Sequence, residues 1–228
     1  MHILALLAHP DDVECNCAGT LLKYKQAGHK IFIALTTSGN TGSNEIESRE
    51  EIQNIREAEQ LEAAKTLDAQ VRFMRFEDES LFDTPETREA VLTAIRWADP
   101  DVIFTHHPGD YSTDHNMTSK LVTEVLSGAG DDLQSAKPLP ERKKPQVFFC
   151  NGTTALVDIT EQIDTKIEML RKHKSQAGWM ATFLPEDDFV EQIKAIDHMK
   201  GMWGSYRYAE GFDAYQVPGY CADYRVLP

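Results

Sequence analysis

Cysteine is scarce in this chain, with four in 228 residues, Cys15, Cys17, Cys150 and Cys221. That is too few for a disulfide scaffold of this length, and Cys15-Asn16-Cys17 lacks the two-residue spacing of a redox or zinc-knuckle pair. All four are read as free thiols. Long hydrophobic runs are also missing. No apolar stretch approaches the roughly 20 residues that span a bilayer, and the opening Met1 to Ala8 has neither a basic start nor a small-residue cleavage site. A soluble chain in the cytoplasm is expected. Positive charge is in deficit, 23 Lys and Arg against 37 Asp and Glu, for a formal net charge of −14. Arg142-Lys143-Lys144 is the one basic cluster, in a predicted loop over 138–145. Such a field repels phosphates and anionic lipid, which excludes nucleic acid and membrane surfaces as partners. Internal repeats and low-complexity segments are absent.

What is present is a hydrophobic fraction of 41%, normal for a globular chain, patterned in alternating strands and helices. Ile3 to Ala8 is a short continuous apolar run, as expected of a strand buried on both faces. A helix over 18–27 closes at Gly28, and a strand over 30–36 follows. Further helices are predicted over 47–67, 86–97, 118–127, 164–176 and 189–203, with strands over 71–76, 102–105 and 146–150. Repeated βαβ units predict one α/β domain over residues 1–228, Rossmann-like, with a mostly parallel sheet flanked by helices. The Gly, Ser, Thr and Asn residues of Gly39 to Asn44 mark the expected mobile loop.

In open parallel sheets, ligands bind beyond the carboxyl ends of the strands. His9, Asp11 and Asp12 occupy the turn after the first strand. They provide one imidazole and one carboxylate for a metal, with a second carboxylate left over to take a proton from water. Asp residues also favour turns and helix caps, so this segment alone admits a purely structural reading. A second cluster, from His106-His107 through Asp110 to Asp114-His115, again follows a strand and precedes a helix. Three protein ligands with an exchangeable position suit catalytic zinc; His9, Asp12 and one histidine of the second cluster would supply them.

At these residues the sequence resembles the PIG-L/LmbE-like zinc de-N-acetylases, whose first motif stands here as Ala8-His9-Pro10-Asp11-Asp12-Val13-Glu14. The resemblance runs on through Gly19-Thr20-Leu21, Arg56-Glu57-Ala58-Glu59, Pro100 to Phe104, Val157-Asp158-Ile159, Lys166, Ser175-Gln176 and Tyr208-Ala209-Glu210-Gly211-Phe212. It looks most like the bacterial branch containing bacillithiol-pathway deacetylases.

The resemblance implies that His9, Asp12 and His115 bind Zn2+, or another divalent metal, and that Asp11 is the general base. It also implies a small-molecule substrate, an N-acetylated amino sugar conjugate of N-acetylglucosamine type, and leaves room for a homo-oligomer. The family's His-Pro-Asp-His stands here as Ser112-Thr113-Asp114-His115, which removes a histidine that helps polarise the carbonyl or protonate the leaving amine. His106, His107 and His173 are candidates to replace it. Arg56, Ser112, Asp114 and Tyr208 are candidate substrate contacts, although Arg56 suits a surface ion pair with Glu59 or Glu62 equally and Tyr208 suits packing. Two alternatives stand beside the hydrolase: a metal-dependent hydratase or lyase acting on a small carboxylate, and a catalytically weakened metal-and-ligand-binding protein.

Overall fold

A computed structural model describes residues 1–127, 144–176, 188–216 and 223–228. Six strands form one sheet: β1 (His2–Leu7), β2 (Lys30–Thr37), β3 (Gln70–Phe76), β4 (Val102–Thr105), β5 (Gln146–Asp158) and β6 (Ala209–Ala214). Their order across the sheet is β3-β2-β1-β4-β5-β6. All neighbours are parallel except the β5–β6 pair.

The continuous apolar run of β1 is explained by its place in the middle of the sheet, where the pleat sends alternate side chains to opposite faces. Ile3, Ala5 and Leu7 join one core with residues of α2 (Ala18–Gln26), the end of α3 (Arg49–Ala64) and α6 (Ile163–Leu170). Leu4 and Leu6 join the other, with α4 (Pro85–Ala98) and α5 (Thr113–Ser127). A short α1 (Asp12–Asn16) precedes α2, and α7 (Asp188–Gly204) precedes β6. No helix among the described residues is long and apolar enough to cross a membrane.

Several boundaries differ from expectation. The helix predicted over 118–127 begins at Thr113, because the Ser112 hydroxyl accepts from the His115 N–H at 3.5 Å and starts the turn early. The helix predicted over 164–176 ends at Leu170. The strand predicted over 146–150 continues to Asp158 and pairs with β6, a strand the period-2 pattern did not reveal. Cys15, Cys17 and Cys150 are free thiols, whereas Cys221 and most of the 138–145 loop lie outside the described residues.

The chain runs outward from β1 through β2 to β3 and then crosses back to β4 on the other side of β1, so the order reverses between β1 and β4. The crevice at such a switch point lies beyond the carboxyl ends of the two strands. His9 follows β1, His106 follows β4 and Asp78 follows β3, so three strand ends deliver side chains to one place.

Candidate metal centre

The turn after β1 is tight. The Asp12 N–H donates to the His9 carbonyl at 3.2 Å, and Asp12 Oδ2 accepts from the His9 N–H at 2.7 Å. Between them Asp11 takes φ +106°, ψ −24°, a conformation that L-residues rarely adopt and that costs on the order of 1–3 kcal/mol. The turn is thereby bent so that Asp12 opens α1 with its carboxylate facing His9.

His9 Nδ1 lies 3.2 Å from His115 Nε2 and 3.3 Å from the Asp12 carboxylate, and His115 Nε2 lies 3.3 Å from Asp12 Oδ1. Two imidazole nitrogens and a carboxylate crowded this closely are lone-pair donors that need a cation, or protons, among them. Donors about 2.0–2.1 Å from a tetrahedral zinc ion stand about 3.3–3.4 Å apart, the spacing seen here. The residues present fit a divalent metal.

The unused edges of both rings are occupied by carboxylates, as is usual for metal-ligating histidines. His115 Nδ1 is 3.0 Å from Asp110 Oδ1; His9 Nε2 is 2.8 Å from Asp78 Oδ1 and 3.3 Å from Asp114 Oδ2. Burial works against a protonated His115, but Asp12 and Asp110 outweigh it and raise the group to about 9. For His9, likewise, Asp114, Asp12 and Asp78 overcome burial and hold it well above its ordinary value.

Asp11 stands outside the triangle. Burial, reinforced by Asp12, raises its carboxyl to about 6 against the opposing pull of Arg56. That is a suitable range for a group that must both take and return a proton near neutral pH.

Of the candidate substrate contacts, two are deeply buried. Arg56 is 4% exposed and pairs with neither Glu59 nor Glu62. It donates to the Gly39 carbonyl at 3.0 Å and the Pro10 carbonyl at 2.7 Å, and reaches Asp11 Oδ2 at 3.5 Å. Glu59 instead holds Ser175, and Glu62 pairs with Lys65. Asp114 is 1% exposed behind His9, where it also accepts from the Glu79 and Leu81 N–H groups, so it holds His9 and a loop. Ser112 is half-buried and caps α5. Tyr208 packs against the core and the His198 ring at the start of β6, and its N–H donates to Thr160.

Each histidine offered as a replacement for Ser112 has other work. His106 lies flat on His115, with ring centroids 3.7 Å apart, and its Nε2 accepts from the Ala8 N–H; burial lowers its pKa. His107 faces Asp213 and Phe149. His173 is held by Glu14 at 3.2 Å. The loop expected to be mobile is anchored at its start: Asn40 and Gly42 are buried, Thr41 bonds Asp78, and Gln176 donates to the Gly42 carbonyl. A side chain at Gly39, φ +62°, would overlap the Arg56 guanidinium.

Asp78, Asp110 and Gln60 are site residues that sequence reasoning missed. Asp78 had a usable signal, since Glu77-Asp78-Glu79 directly follows a parallel strand.

Comparison with known proteins decides the family. Residues 4–126 match the model of PIG-L, GlcNAc-PI de-N-acetylase. The chain belongs to the PIG-L family. Its family members are hydrolytic deacetylases. A probable N-acetyl-alpha-D-glucosaminyl L-malate deacetylase 2 of Bacillus anthracis is 28% identical over 218 residues, 86% of this chain and 92% of that protein. The solved N,N'-diacetylchitobiose deacetylase of Pyrococcus horikoshii superposes with a TM-score of 0.83 at 24% identity, over 93% of this chain and 83% of that one. The 4-carboxy-2-hydroxymuconate hydratase of Pseudomonas putida superposes with a TM-score of 0.80 at 18% identity, over 95% and 97%. At identities this low the two superpositions show a shared fold alone.

Proposed function

We propose that this PIG-L chain is a zinc-dependent de-N-acetylase that releases acetate from an N-acetylglucosamine-type conjugate. The observation that carries the reading is the triangle of His9, Asp12 and His115 at 3.2–3.3 Å, with Asp11 beside it and outside it. His9, Asp12 and His115 would hold the zinc, which when bound polarises an amide carbonyl and acidifies a water.

The chain's own residues do the rest. Asp78 and Asp110 hold the two imidazoles in the tautomers that present Nδ1 of His9 and Nε2 of His115. Asp11 takes the proton from the attacking water as its oxygen bonds to the amide carbon, and returns it to the nitrogen as the carbon–nitrogen bond breaks. Acetate and a free amine are the products.

The test is amine release by the purified, zinc-loaded protein from N-acetyl amino sugars and their thiol conjugates. Turnover abolished by a chelator and restored by zinc is expected. No amine from any of these substrates would overturn the reading.

A further inference from the structure

The peptide joining Pro10 to Asp11 is gripped at both polar ends by one helix. Arg56 Nη2 donates to the Pro10 carbonyl at 2.7 Å, and Gln60 Oε1 accepts from the Asp11 N–H at 3.1 Å. That carbonyl and that N–H belong to a single planar group. Arg56 and Gln60 stand four residues apart on α3 and therefore share one face of it. Two bonds from one rigid helix to opposite ends of a peptide fix the orientation of its plane, and with it the entry of the chain into Asp11 at φ +106°.

The Gln60 amide is not free to flip. The Asp11 N–H can only donate, so the amide oxygen must face it, which leaves Nε2 to donate to Glu14 Oε1 at 3.1 Å. Glu14 is held in turn by His173 Nε2, 3.2 Å from Oε2. Gln60 and Glu14 are fully buried and His173 is 2% exposed, so water does not compete for these bonds.

We infer that Gln60, oriented by Glu14 and His173, is a positioning residue that keeps the Pro10–Asp11 peptide in the plane that aims the Asp11 carboxylate at the reacting atoms. This role rests on the reading of Asp11 as the base. It assigns work to a buried polar chain whose hydrogen bonds, among the described residues, run to Asp11 rather than to His9, Asp12 or His115.

Gln60→Met in the zinc-loaded protein should keep its metal, leave KM within about threefold, and lower kcat on the order of 10- to 100-fold. In an Asp11→Asn background the same substitution should cost nothing further, because its effect passes through the Asp11 carboxylate. Gln60→Glu supplies a second variant should the first fail to fold: the introduced carboxyl, when protonated, reproduces the acceptor and the donor, so its kcat relative to the parent should rise from pH 8 to pH 6. Amide exchange at Asp11, read without substrate, should quicken at least about tenfold in Gln60→Met. Unchanged exchange, or an equal fractional loss of turnover in the Asp11→Asn background, would overturn the role. If the parent protein turns over no N-acetylated substrate, the functional reading fails while the exchange measurement still decides the clamp.

Discussion

His9 Nε2 lies 2.8 Å from Asp78 Oδ1, on the side of the ring opposite the Nδ1 that faces Asp12 and His115. Burial pushes the Asp78 carboxyl up, but His9 and Thr41 hold it well below the usual carboxylate range. An ionised Asp78 therefore favours a proton on Nε2 and leaves Nδ1 as the nitrogen that would give up its proton when a metal binds.

Replacing that carboxylate should loosen the metal without removing a ligand. Asp78→Asn is expected to weaken zinc binding about 10- to 100-fold, with turnover recovered at excess zinc. Competition against a chromophoric chelator measures the affinity.

The triangle and its neighbour should separate cleanly on mutation. Asp12→Ala and His115→Ala should each lower metal occupancy, whereas Asp11→Asn should retain the metal and lose turnover. Metal analysis beside kinetics checks this, and equal metal loss in all three would contradict the assigned roles.

Metal uptake should expel protons. His115 is raised to about 9 in the metal-free site, so it is protonated at neutral pH and must lose that proton to ligate. Zinc affinity should rise about tenfold per pH unit for each proton released below pH 9 and level off above it. Calorimetry in buffers of different ionisation enthalpy counts the protons.

The resemblance to the de-N-acetylases implies a histidine where this chain has Ser112. Ser112→His should raise amide hydrolysis by restoring a group able to stabilise the developing oxyanion or protonate the amine, an effect of about 100-fold where geometry permits. The lost cap on α5 should cost about 1 kcal/mol, read by denaturant unfolding. A fall in deacetylation would show that Ser112 belongs to the native chemistry.

The βαβ order and the meeting of His9, Asp12 and His115 were legible because each depends on local signals: an apolar run, a breaker, and His or Asp at a strand's end. The grip of α3 on the site was not. Arg56 sits among Glu57, Glu59 and Glu62, so local charge suggested a surface pair, although Ile52, Arg56, Gln60 and Ala63 already share the spacing of a buried face. The sequence points to Asp114 as a substrate contact and does not single out Asp78, because their partner, His9, is brought to them only by the sheet. β6 left no alternation to read because Ala209, Glu210, Gly211 and Phe212 are all buried in succession.

His9 and His115 are 106 residues apart and meet only after β1 has paired with β4. Closing so long a loop is slow in entropic terms, and its cost is met before the contact returns anything. An ion held by all three donors would therefore be captured only late in folding, once the central strands are in register. From then on it favours the native state by an amount that grows with the logarithm of free zinc. Metal supply should accordingly act on the unfolding rate more than on the folding rate, making zinc a lock on the finished sheet rather than a seed for it.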